Sequence, residues 1–206
     1  MKKSRQKGGI PVEARKLRRR STVCTELTAK HLMRRAFSEV GVLEQLGYKP
    51  MEPGAVYTFV TKGGTDMHTF LKLAVNCHRL DRCIISTWAA NAEDLLSVFN
   101  LYREGRIKKL DFYTSEVFQN NYKIEWKMVK DFYAENPAAG REAFFINHTK
   151  MVLASSEEDG FYMAALTSGN LNTNPRWEQA EVIIDKGTFN FYADYFDGIK
   201  TIERNV

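Results

Sequence analysis

The chain has 206 residues, 44% of them hydrophobic and 27% charged, which is enough for one medium domain with its own core. No apolar run approaches the roughly 18 to 20 residues that cross a bilayer, so a helical membrane protein is excluded. The net charge of +5 is unevenly spread: residues 1–35 hold twelve Lys or Arg against Glu13 and Glu26, a local +10, leaving −5 for residues 36–206 by difference.

A basic arm on a mildly acidic body suits a nucleic acid or another polyanion, because each neutralised phosphate releases counterions; a solvated tail without a partner is the competing reading. Arg18, Arg19 and Arg20 are the arm's densest positive run and its candidate substrate contacts. The N-terminus lacks the apolar stretch and cleavage site of a secretory signal, which implies a cytoplasmic address. Three cysteines, Cys24, Cys77 and Cys83, allow no even-numbered disulfide framework and are expected as buried thiols. Cys77-His78 followed by Cys83 fits no zinc spacing, so no metal or other cofactor is expected.

In chain order, residues 1–24 mix charge, Gly and Pro with few large apolar side chains, the composition of a flexible arm. Residues 25–50 read as a helical segment, with Leu27, Leu32, Phe37, Val40 and Leu43 on one face, closed by the turn "GYKPMEPG". From residue 51 to 206 one α/β domain is expected. "AVYTFVT" is strand-like, and "GGTDMHTFLKLAVNCHRL" is a helix begun by a Thr/Asp cap. "RCIISTWAA" is a strand, and "NAEDLLSVFNLYREG" is a helix capped by Asn91 and ended by Gly105. "KKLDFYTS" is a strand and "NNYKIEWKMVKDFYAEN" a helix that stops before Pro137. Three β-then-α units argue for a largely parallel sheet covered by helices. "EAFFINHTKMVLAS" and "GFYMAALTS" then read as two strands of an antiparallel hairpin, "AEVIID" as a further strand, and "KGTFNFYADYFDGIKTI" as a closing helix.

The first strand of that hairpin carries two polar residues in an apolar run. Residues two apart on a strand share a face, so His148 and Lys150 should project side by side. Pairing 148–154 with 161–168 brings Ser168 and Asn170 beside them. A cation, an imidazole, a hydroxyl and an amide at one strand end suit a phosphate: Lys supplies charge, Ser and Asn directional donors, and His a nucleophile or proton carrier. Among the other candidates, His68 reads as a capping or surface group, and Trp88, Trp126 and Trp177 read as packing residues. "GGT" at 63–65 reads as a simple turn.

His148-x-Lys150 followed by Thr-Ser168-Gly-Asn170-Leu-Asn172 resembles the phospholipase D superfamily signature, His-x-Lys-x4-Asp and then Gly-Ser-x-Asn. "RWEQAEVII" is similar to that family's segment in which a glutamate, here Glu178, precedes a strand. The resemblance covers 144–184 closely and agrees with the βαβα order from 55 to 143. It departs at Ser155, where the motif has Asp, and at Thr167, where it usually has Gly. By strand parity Ser155 faces away from His148 and Lys150.

The resemblance implies an α/β fold with a mixed sheet flanked by helices. It also implies metal-independent phosphodiester chemistry through a phosphohistidine. His148, Lys150, Asn170 and Glu178 would be catalytic, with Ser168 and Asn172 binding substrate. Glu178 would fix the imidazole tautomer. One motif supplies half a site, as in bacterial endonucleases of the superfamily that pair as homodimers, so a nuclease with a homodimeric site is the expectation. The alternative is a degenerate protein that binds nucleic acid or another polyanion without cleaving it. No amphipathic membrane-binding helix favours a lipid substrate.

Overall fold

The structure, a computed structural model, describes residues 40–61, 64–172 and 176–201. The basic arm with Arg18, Arg19 and Arg20, and most of the expected first helix, lie outside these; residues 40–45 are helical. Seven strands form one sheet in the order β1-β7-β6-β5-β2-β3-β4: β1 Val56–Thr61, β2 Arg82–Thr87, β3 Leu110–Ser115, β4 Glu142–Phe145, β5 Met151–Ser156, β6 Phe161–Thr167 and β7 Glu178–Ile184. The helices are α1 Met67–Cys77, α2 Ala92–Arg103, the single turn α3 Phe118–Asn121, α4 Lys123–Glu135 and α5 Lys186–Asp197.

Caps set the helix starts. Asp66 accepts from the backbone N–H of His68 and Thr69, Asn91 from that of Asp94, and Asp185 from that of Thr188, each satisfying donors that the first turn leaves unpaired. Gly105 ends α2 at φ +69°, a left-handed conformation that costs glycine little.

Period-two alternation sorts the strands onto two faces. Ile85, Val152, Ala154, Met163, Ala165 and Val182 join the apolar faces of α1, α2 and α4 in the larger core. Ile84, Tyr113, Leu153 and Ala164 face Phe189, Ala193 and Phe196 of α5 in the smaller one. Phe99 of α2 stacks on Phe132 of α4 at 4.0 Å and 5°, locking those helices together.

Two expectations need correction. The sheet is not largely parallel: β2-β3 and β3-β4 are parallel, whereas β1-β7, β7-β6, β6-β5 and β5-β2 are antiparallel. The β-then-α order fixes only the half that α2 to α4 cross over, while the later strands return by hairpins. The apolar segment 142–155 is also two strands, not one. β4 pairs with β3 at the sheet edge, and β5 pairs with β2 and β6 in the interior. Residues 146–150 bridge them with no strand structure.

Smaller corrections concern single residues. Cys77 is exposed, whereas Cys83 is buried as expected, its thiol pushed up by burial. His68 is neither a cap side chain nor a surface group. It is 1% exposed, its Nδ1 3.3 Å from the buried Asp94 carboxylate and its Nε2 3.1 Å from Ser97 Oγ, so it ties α1 to α2.

Candidate active site

His148 and Lys150 lie in the bridge between β4 and β5, at the carboxyl ends of the parallel strands, where ligands of open α/β sheets bind. The bridge is held by a closed ring of side-chain hydrogen bonds. Thr149 Oγ1 donates to Asn147 Oδ1 at 2.7 Å, and Asn147 Nδ2 donates to Ser86 Oγ at 3.0 Å. With those protons assigned, Ser86 Oγ donates to Thr149 Oγ1 at 2.6 Å. Each group both gives and receives, so the ring is self-satisfied and its bonds polarise one another. Thr149 N–H also donates to Asn147 Oδ1, at 2.9 Å. His148 is thus presented outward from between two anchored neighbours, and it is exposed while Asn147 is buried.

Lys150 Nζ lies 3.2 Å from His148 Nδ1 and 2.9 Å from His148 O. An ammonium can only donate, so Nδ1 accepts and the neutral ring carries its proton on Nε2, pointed away from Lys150. Partial burial pushes the Lys150 amine below the usual lysine range, while the nearby Glu178 carboxylate opposes that shift. Lys150 O accepts from Thr167 N–H at 3.0 Å, which seats the lysine at the end of β6.

Ser168 and Asn170 follow β6 and reach the same sheet end. Asn170 Oδ1 accepts from the backbone N–H groups of Trp88 and Ala89 at 3.2 and 3.3 Å, and from Thr87 Oγ1 at 3.4 Å. These donors fix the amide's orientation and leave its NH2 as the end that can donate to a ligand. Ser168 Oγ donates to Glu178 Oε2 and accepts from Gln179 N–H at 3.0 Å. Glu178 therefore meets Ser168 and influences Lys150, whereas the group beside His148 Nδ1 is Lys150 itself. Asn172 is half-buried one residue beyond Leu171, whose N–H donates to Thr87 Oγ1 at 3.1 Å. Ser155 sits at the far end of β5, across from Arg82, on the face that carries Met151 and Leu153.

Several members of this cluster had no signal at the motif. Trp88 follows β2, with its ring 6.0 Å from His148 and 6.4 Å from Tyr122. Its sequence distance from His148 hid it, although its place after a strand's carboxyl end was a cue. Asn147 and Thr149 could have been read from Asn-x-Thr turn chemistry. Ser86, buried in β2, carried no cue. Trp126, by contrast, packs on Phe144 at 3.9 Å, and Trp177 is 67% exposed.

Two grooves border the sheet. One of about 700 Å³ separates residues 41–46 from β1, and one of about 390 Å³ runs along β1, β6 and β7 to Ser168. Among the described residues no group of three or more His, Cys, Asp or Glu is arranged to hold a metal ion, and no helix is long and apolar enough to cross a membrane.

No protein-family model and no curated protein matches the sequence. Solved structures do. A polyphosphate kinase from Porphyromonas gingivalis superposes with a TM-score of 0.52 at 12% identity, over 74% of this chain and 27% of the kinase. A phosphatidylserine synthase from Haemophilus influenzae superposes with a TM-score of 0.52 at 12% identity, over 69% of this chain and 37% of the synthase. The chain thus spans about a third of the length of these proteins or less. Both are phospholipase D superfamily members, and the sheet order, its flanking helices and this superposition together give the chain the phospholipase-D-like fold.

Proposed function

We propose that the protein is a metal-independent phosphodiesterase, a nuclease, whose complete site forms between two copies of the chain. The observation that carries this reading is the convergence of His148, Lys150 and the Asn170 amide at one sheet end, with a single imidazole among them. In the reaction, Lys150 turns from His148 to a phosphate oxygen and Asn170 Nδ2 donates to another. With Lys150 withdrawn, the imidazole proton moves to Nδ1 and Nε2 attacks phosphorus; Glu178, on leaving Ser168 Oγ, is the carboxylate that would hold that proton. The P–O bond to the leaving strand breaks, and the partner subunit's His148, entering as the imidazolium, gives one proton to that oxygen and is left neutral. Water then cleaves the N–P bond, its proton passing to the same partner imidazole, and both rings are restored.

Ser168 and Asn172 serve as auxiliary donors, and Arg18, Arg19 and Arg20 hold the polyanion beyond the scissile bond. A two-fold dimer brings two copies of one motif together without a second gene product. The exposed Ile146 (80%) and Trp177 (67%), in the bridge and just before Glu178, offer apolar surface beside the site for such contact.

The test is cleavage of single- and double-stranded DNA and RNA in excess chelator, comparing wild type with His148→Ala. Metal-free cleavage lost in the variant supports the reading; cleavage that survives the substitution overturns it. Binding without cleavage on any of the four substrates favours the degenerate, polyanion-binding protein, a reading supported by Ser155 at the motif aspartate position.

A further inference from the structure

Trp88 is built as a platform, and its surroundings are unlike those of a core tryptophan. Its backbone is pinned: the N–H donates to Asn170 Oδ1 at 3.2 Å and the carbonyl accepts from Ser115 Oγ at 3.2 Å. Its ring is only half-buried. The neighbouring rings meet it obliquely, His148 at 53° and Tyr122 at 83°, so among the described residues no ring lies flat against the indole. Burial alone would favour a fully covered side chain, as for Phe99 on Phe132.

Stacking on tryptophan needs a flat, apolar, π-rich group, and phosphate itself has none. From these contacts we infer that Trp88 stacks a nucleobase of the nucleotide bearing the phosphate at His148, and that the substrate class is single-stranded nucleic acid. This rests on the nuclease reading. A base within a duplex has both faces covered by its neighbours, so it reaches Trp88 only after extrusion, whereas an unpaired base stacks directly. The same amide that orients toward phosphate, Asn170, anchors the Trp88 backbone, so base and phosphate are registered by one side chain. Stacking on an aromatic ring tolerates any base, which gives a preference for single strands without a sequence preference.

The experiment measures equilibrium binding by fluorescence anisotropy at fixed salt, in full-length protein carrying His148→Asn to prevent turnover. The probes are a labelled single-stranded oligonucleotide, the same strand with abasic residues, and its duplex. The single strand should bind about 5- to 150-fold tighter than the abasic strand, the range that loss of one base–aromatic stack produces. Adding Trp88→Ala should lower affinity for the base-bearing strand to the abasic level and leave the abasic affinity unchanged; Trp88→Phe should recover part of the loss. Equal affinity for base-bearing and abasic strands, an equal loss on both in Trp88→Ala, or a duplex bound as tightly as the single strand overturns the platform and leaves the nuclease reading standing. Binding of none of the probes overturns both.

Discussion

The two ends of β2 and β5 carry two polar clusters of similar make-up and opposite character. At one end Arg82 bonds Asp111 at 2.7 Å and Asp197 at 2.5 Å, while Arg141 donates to the carbonyls of Asp197 and Ile199. Its carboxylates are paired: burial disfavours the Arg82 charge, yet Asp197 and Asp111 outweigh it and raise the guanidinium above its usual range, Arg82 in turn lowers Asp197, and Lys109 Nζ lies 3.7 Å from Asp111. At the other end Lys150 leans on an imidazole and a carbonyl, and the Asn170 amide keeps a donor end to offer. A saturated cluster holds the fold; one that leaves donors over has them to offer, as the proposed phosphate contact requires.

The contrast also gives a physical account of Ser155. That motif position belongs to the saturated end, opposite Arg82, where Asp111 and Asp197 already supply carboxylates. An aspartate there would be a third.

Breaking each end separately should give opposite outcomes. The largest effect is expected from His148→Ala: loss of metal-free cleavage to background, with an unchanged urea midpoint. Asp111→Ala should do the reverse. It leaves the partly buried Arg82 without its buried partner and costs about 3–5 kcal/mol, read as a lower urea midpoint, while activity per folded molecule is preserved. A loss of stability in the first variant, or of specific activity in the second, would mean the clusters are coupled.

A smaller effect concerns pH. Burial lowers the Lys150 pKa, so its charge should be lost on the alkaline side earlier than that of a free lysine. The alkaline limb of kcat/KM should therefore fall below the usual lysine range, and Lys150→Arg should move that limb upward. The stability sign is opposite. The unfolded chain holds this proton more tightly, so the lysine's folding penalty is full below its folded pKa and is relieved as pH rises from there to its unfolded value. The smallest effect is expected from Ser155→Asp, which should leave kcat/KM within about twofold of wild type; a large gain would place that position in the chemistry after all.

Much of the fold was legible because the signals were local. Asp66, Asn91 and Gly105 mark helix ends by chemistry that acts within one turn, and a continuous apolar run in 161–166 and alternation in 178–184 mark strands. What failed was non-local. The run "FFINHTKMVL" has the same apolar pattern whether it is one strand or two, and only the neighbours β3, β2 and β6 decide. His148 and Lys150 were found by their spacing, although the geometry assumed for it, a shared strand face, does not occur. His68 was misjudged because its environment is assembled from distant segments.

The bridge that bears His148 is also a matter of length. Leaving β4 at the edge and entering β5, the chain passes the ends of β3 and β2, three inter-strand steps. At about 4.8 Å each these come to roughly 14 Å, against about 20 Å for the six Cα steps from Phe145 to Met151 at full stretch. The Asn147 turn takes up much of the slack. The imidazole therefore hangs on a span with about 6 Å to spare, and the turn that presents it is set by residue count: removing one residue from 146–149 would leave roughly 17 Å of chain for the same 14 Å gap, with little length for the Asn147 turn.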